Sequence, residues 1–68
     1  MALFGLSKTY VEIDPRLPEV GDVGTLDGVS AEVIEVNSHT FRVRDRVGNE
    51  VLFRANGTSV GDHHVWRG

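Results

Sequence analysis

The sequence contains no cysteine, so disulfides and thiolate metal sites are excluded. Aromatics are few: one Trp, one Tyr and three Phe among 68 residues. The two prolines, Pro15 and Pro18, stand close together. No apolar run approaches the ~18 residues of a membrane span. The stretch Met1–Leu6 has no basic flank and too short an apolar core for a secretory signal. A soluble, unsecreted protein is therefore expected. Cations are also in the minority: seven Lys and Arg face ten Asp and Glu, for a net charge of −3. Nucleic-acid binders usually carry the opposite sign, although a local patch can act against the total. A chain of this length is one domain, and with no cross-link its apolar burial barely exceeds the cost of ordering it.

What the sequence does have is alternation and turns. Tyr10–Ile13 alternates and reads as a short strand. Asp14-Pro15-Arg16-Leu17-Pro18 reads as an extended connector, because proline fixes φ and removes a donor. Gly21–Leu26 reads as a strand, and Asp27-Gly28 as a primed hairpin turn, which needs positive φ. Val29–Val36 begins with Val29, Ala31 and Val33 on one face and then shifts phase at Ile34. Such a shift predicts a β-bulge or a bend. Thr40–Asp45 places Phe41 and Val43 inward and Arg42 and Arg44 outward. Glu50–Arg54 places Val51 and Phe53 on one face, and Leu52 and Arg54 on the other. Asn37-Ser38-His39, Arg46-Val47-Gly48-Asn49 and Ala55-Asn56-Gly57-Thr58 read as turns. A last strand is expected at about His63–Arg67. The fold class is all-β: a small five- to six-stranded SH3-, Sm- or OB-like barrel with an extended N-terminal arm. Residues 1–20 form the arm and connector, and 21–68 the barrel.

Gly21-Asp22, Leu26-Asp27-Gly28-Val29, Val33, Val36, Thr40, Arg42, Gly48, Val51, Phe53 and Asn56-Gly57 together resemble the middle β-domain of MscS-type mechanosensitive channels. The resemblance covers about residues 21–60. It implies an Sm-like, SH3-like barrel that packs side by side with its neighbours. Ala31 stands where that family prefers glycine, and its membrane helices have no counterpart here, so channel activity is not implied. Gly21-Asp22, Gly28 and Val33-x-x-Val36 are also similar to small phage head–tail joining proteins. That likeness implies an assembly role, with the cytoplasm or a virion as its location.

Four arginines, Arg42, Arg44, Arg46 and Arg54, carry most of the concentrated charge. Arg42 and Arg44 share one strand face. They are either a phosphate-contacting stripe, a protein contact, or a face paired with Glu32, Glu35 and Glu50. A nucleic-acid stripe normally adds exposed aromatics, and only Tyr10 and Trp66 qualify. Leu3, Phe4 and Leu6 either lie on a neighbouring subunit or fold back on their own barrel. Trp66 either anchors an interface or closes the barrel. Asp62-His63-His64 and His39 match no zinc spacing, and adjacent strand residues point apart, so no metal and no cofactor is expected. Asn56-Gly57-Thr58 fits a glycosylation pattern but reads as a hairpin turn. Ser, His and Asp are present without a nucleophile elbow. The expected function is a non-enzymatic assembly module docking to copies of itself or into a larger particle. Its partner-binding residues are Leu3, Phe4, Leu6, Arg42, Arg44 and Trp66. The alternative is a nucleic-acid-binding barrel using Arg42, Arg44, Arg46 and Arg54.

Overall fold

The computed structural model describes residues 13–68. Leu3, Phe4 and Leu6 lie outside that range, as does all of the Tyr10–Ile13 strand except Ile13, which is in no strand. Five antiparallel strands follow: β1 (Val23–Leu26), β2 (Val29–Val36), β3 (Thr40–Asp45), β4 (Glu50–Arg54) and β5 (Trp66–Arg67). Their spatial order is β4-β3-β2-β1-β5, and the sheet curls into a half-barrel. A four-strand meander with a fifth strand returned beside the first is an SH3- or Sm-like path. It differs from the Greek key of an OB barrel.

Local chemistry explains each corner. Asp27 and Gly28 both take positive φ, 52° and 85°, as a type I′ turn requires. Val33 pairs with Val43, yet Glu35 pairs with Arg42, so Ile34 is the extra residue of a bulge. The phase shift of the sequence marks that bulge, which bends β2 around the core. Asp45, only 8% exposed, holds the β3–β4 turn. Its Oδ1 accepts the amides of Val47, Gly48 and Asn49 at 2.9 Å each, and its Oδ2 accepts Asn49 Nδ2 at 3.0 Å. Gly48, at φ 107°, completes the turn.

Three stretches differ from expectation: β1 begins at Val23 and not at Gly21, because Gly21, at φ 99°, stands in a turn closed by the Asp22 N–H to the Glu19 carbonyl. Asp14–Leu17 is a turn and not an extended connector. Leu17 N–H donates to the Asp14 carbonyl, Asp14 N–H donates to the Ser38 carbonyl, and Leu17 packs against the core. Proline at the second position of such a turn is favoured because its φ is already set. The last strand is also shorter than His63–Arg67. The amides of His64 and Val65 go to side chains, Ser59 Oγ and Asp27 Oδ1, so regular pairing starts only at Trp66.

Leu26, Ala31, Val33, Phe41, Val43 and Phe53 form the buried core. Phe41 and Phe53 stack at 5.4 Å, and Trp66 meets Phe41 edge-on at 6.4 Å. Trp66 is half-buried and leans over Gly24 from inside the curl. The outer edge of β4 is covered by the segment that follows it. Phe53 bridges to Ser59, Arg54 N–H donates to the Thr58 carbonyl, and Val60 N–H donates to the Leu52 carbonyl. At the other end of the sheet, β5 pairs only with β1 among the described residues.

Candidate docking surface

Alternation sends Arg42 and Arg44 to the convex outer face, where Glu32, Glu35, Glu50 and Leu52 are their cross-strand neighbours. Arg42 Nε lies 3.2 Å from Glu35 Oε1, and Arg44 Nη1 lies 3.6 Å from Glu50 Oε2. The pairing of these arginines with glutamates follows from the register. Exposed pairs of this kind contribute little stability, about 0.2–1 kcal/mol, but they cancel charge locally. Arg54 is engaged differently: its Nη1 donates to Thr58 Oγ1 at 3.3 Å and to the Ser59 carbonyl at 3.0 Å. Arg46 stands in the β3–β4 turn, its backbone amide donating to the Ser30 carbonyl at 3.1 Å. The four arginines therefore do not form one free stripe. Two are matched by glutamates, one braces a loop, and Arg46 has no carboxylate within salt-bridge distance among the described residues.

Trp66 presents its ring to Phe41 and Gly24, so its ring is part of the barrel wall. Among the described residues, the exposed aliphatics are Ile13, Val20, Val23, Val47, Val60 and Val65. Val23 is 68% exposed on the outer face of β1, and Val65, 38% exposed, immediately precedes β5. A shallow groove of about 440 Å³ runs along the outer face between Val23, Ile34, Glu32, Ser30, Arg44 and Arg46.

An Asp–His pair joins the β1–β2 turn to the C-terminal segment. His64 Nδ1 lies 2.7 Å from Asp27 Oδ2, while Asp27 Oδ1 accepts the Val65 amide at 2.8 Å. Sequence reasoning gave Asp27 a turn role alone; its 37-residue reach to His64 carries no local signal. The nearby Ser59 does not extend the pair into a catalytic triad. Its Oγ donates to the Asp62 carbonyl at 2.7 Å and accepts the His64 amide at 3.0 Å. A nucleophilic serine instead donates to the imidazole that serves as its base. The pair acts as a clasp. Among the described residues no cluster of three metal-ligating side chains occurs, and no helix is long and apolar enough to cross a membrane.

Three carboxylates are held below the ordinary Asp range. The Arg16 side chain and amide bring Asp14 down to about 2. The hydrogen bond from His64, then that from the Val65 amide, lowers Asp27. At Asp45 burial pushes upward, but the Asn49 side chain and the three turn amides outweigh it, and the net direction is down. A carboxylate lowered by folding stabilises the fold above its unfolded pKa, here 3.8, and that contribution disappears as pH falls through the folded value. Thermal melts followed by circular dichroism should therefore be flat near neutrality and fall steadily from about pH 4 toward pH 2. Asp45→Asn should melt lower at pH 7 and lose less on acidification. A parent protein whose melting temperature holds constant down to pH 2 contradicts this assignment.

No protein-family model, no curated protein and no solved structure matches this chain.

Proposed function

We propose that this chain is a non-enzymatic docking module. It joins copies of itself, or joins a larger particle of the virion kind, through the open side of its sheet. The observation that supports this reading is the asymmetry of the two sheet edges. The β4 edge is covered by residues 58–60, whereas β5 has no strand on its far side among the described residues. An uncovered edge invites a partner strand, and Val65 beside it adds apolar surface. The outer-face geometry weighs against nucleic acid as the main partner. Arg42 and Arg44 are matched by glutamates, Arg54 is used internally, and the Phe41, Phe53 and Trp66 rings are turned inward.

Light scattering tests the reading. The mass of the full chain should rise with concentration through the micromolar-to-millimolar range. Val65→Lys, which puts a charge at the edge, should shift that rise to at least about tenfold higher concentration. A mass fixed at one chain throughout removes self-joining. Deleting residues 1–9 tests the arm separately: unchanged association shows that Leu3, Phe4 and Leu6 take no part.

A further inference from the structure

Four outward positions from four consecutive segments of the sheet line up in one cross-strand row. Thr25 on β1 pairs with Ser30 on β2 and, on its other side, with Arg67 on β5. The Ser30 carbonyl in turn accepts the backbone amide of Arg46, the turn residue that follows β3. The row reads Arg46, Ser30, Thr25, Arg67. The Ser30, Thr25 and Arg67 side chains point outward, since their strand neighbours Ala31, Leu26 and Trp66 point in; Arg46, in the turn just after β3, is exposed and lines the outer groove with Ser30, Glu32 and Arg44. Neither Arg46 nor Arg67 has a carboxylate within 4.0 Å among the described residues. Two hydroxyls thus lie between two guanidinium groups that no carboxylate of the described residues compensates.

We propose that this row receives an extended acidic segment of a partner protein. The proposal rests on the docking reading above and names the chemistry of the partner. Three inter-strand steps separate the end positions by roughly 14 Å. The outer face is convex, so the two arginines splay and do not converge on a single small ion. An extended chain advances about 3.3 Å per residue and turns every second side chain the same way. Carboxylates at positions i and i+4 of such a segment stand about 13 Å apart on one side, close to the backbone separation of the two arginine positions, a gap that the long arginine side chains adjust to. The carboxylate at i+2 then falls over Ser30 and Thr25, whose hydroxyls donate to it. Arginine grips carboxylates through paired N–H groups. The flank favours this placement. The neighbouring row is Glu50, Arg44, Glu32 and Val23, and its two glutamates repel an acidic segment that slips sideways.

The test uses the full chain and two fluorescently labelled peptides of equal charge and composition. One alternates three glutamates with threonines; the other carries the three glutamates in succession. Anisotropy at low salt should show the alternating peptide binding at least about fivefold more tightly, with affinity falling as salt is added. Arg46→Glu and Arg67→Glu should each weaken it about tenfold or more, whereas Arg16→Gln, outside the sheet and paired with Asp14, changes it less than about twofold. Circular dichroism confirms that the variants are folded. Equal binding of the two peptides, indifference to both charge reversals, or tighter binding of a single-stranded oligonucleotide of the same charge each overturns the proposal. The readout does not depend on self-association. A monomer that binds the alternating peptide removes only self-joining, and an oligomer that ignores it removes only the acidic segment.

Discussion

Gly24→Ala should detach β5 and lower stability by about 3 kcal/mol or more. One added methyl group is enough, because of what lies opposite. A Cβ on Gly24 would overlap the backbone carbonyl of Arg67 and lie 2.8 Å from Trp66 Cη2 and 2.9 Å from Gly68 Cα. A flexible side chain can swing away from such a contact, but two of these three neighbours are backbone. The position lies in β1, which is held to β2 by four residue pairs and to β5 by only two. The weaker partner is the one that yields. When β5 leaves, Trp66 leaves with it, exposing the wall of the core that it covers. Truncating a buried Phe or Trp costs about 3–5 kcal/mol; half-buried Trp66 stands at the low end of that range, and the lost ladder adds to it. Trp66 is the only tryptophan, so its emission reports the event directly: it should shift to the red under conditions where circular dichroism still shows strand. A double-variant cycle sharpens the test. If β5 is already detached, Trp66→Ala adds little to Gly24→Ala, and the two effects fall well short of additivity. A Gly24→Ala protein with unshifted emission and stability within about 0.5 kcal/mol of the parent would show that β5 can move aside at no cost.

What could be read in the sequence is what depends on neighbours in the chain. Phe41 and Val43 alternate with Arg42 and Arg44, so their burial was legible. The doubled apolar step at Val33-Ile34 marked the bulge, and Asp27-Gly28 marked the I′ turn. Other features depend on which distant residues meet. Asp14 looked like part of a proline connector, because its link to Ser38 lies 24 positions away. Asp27 reaches Val65 and His64, and Ser59 takes the His64 amide; these side chains shorten β5 in a way that no alternation predicts. The arginines show the same division. That Arg42 and Arg44 share a face is a local fact. That Glu35 and Glu50 match them follows from the register of β2 and β4 against β3. The row joining Arg46 to Arg67 appears only once β5 is placed beside β1, and periodicity contains no strand order.

Phe53→Ala should leave the domain mostly unfolded at 25 °C. Phe53 is fully buried, stacks on Phe41 at 5.4 Å, and sits where β4 meets the segment that covers its edge. Truncating a buried Phe costs about 3–5 kcal/mol through lost transfer energy and the cavity left behind. A domain of this length, at about 0.05–0.15 kcal/mol per residue, has roughly 3–10 kcal/mol in total. The loss is therefore comparable with the whole. The damage also has a direction. The same residue bridges to Ser59, and the amides of Arg54 and Val60 hold the 58–60 segment to β4. A cavity beneath that contact loosens the cover first and uncovers a second sheet edge, so the variant should aggregate as well as unfold. Urea titration measures the stability. Amide hydrogen exchange locates the damage: in a partly folded sample the Arg54 and Val60 amides should lose protection before those of β2 and β3. Phe53→Leu, which keeps most of the volume, should cost under about 1.5 kcal/mol and retain the cover. If Phe53→Ala instead melts cooperatively within about 1 kcal/mol of the parent, the core does not hinge on the Phe41–Phe53 stack. The covered β4 edge and the β5 edge, uncovered among the described residues, would then owe their difference to the 58–60 hydrogen bonds alone.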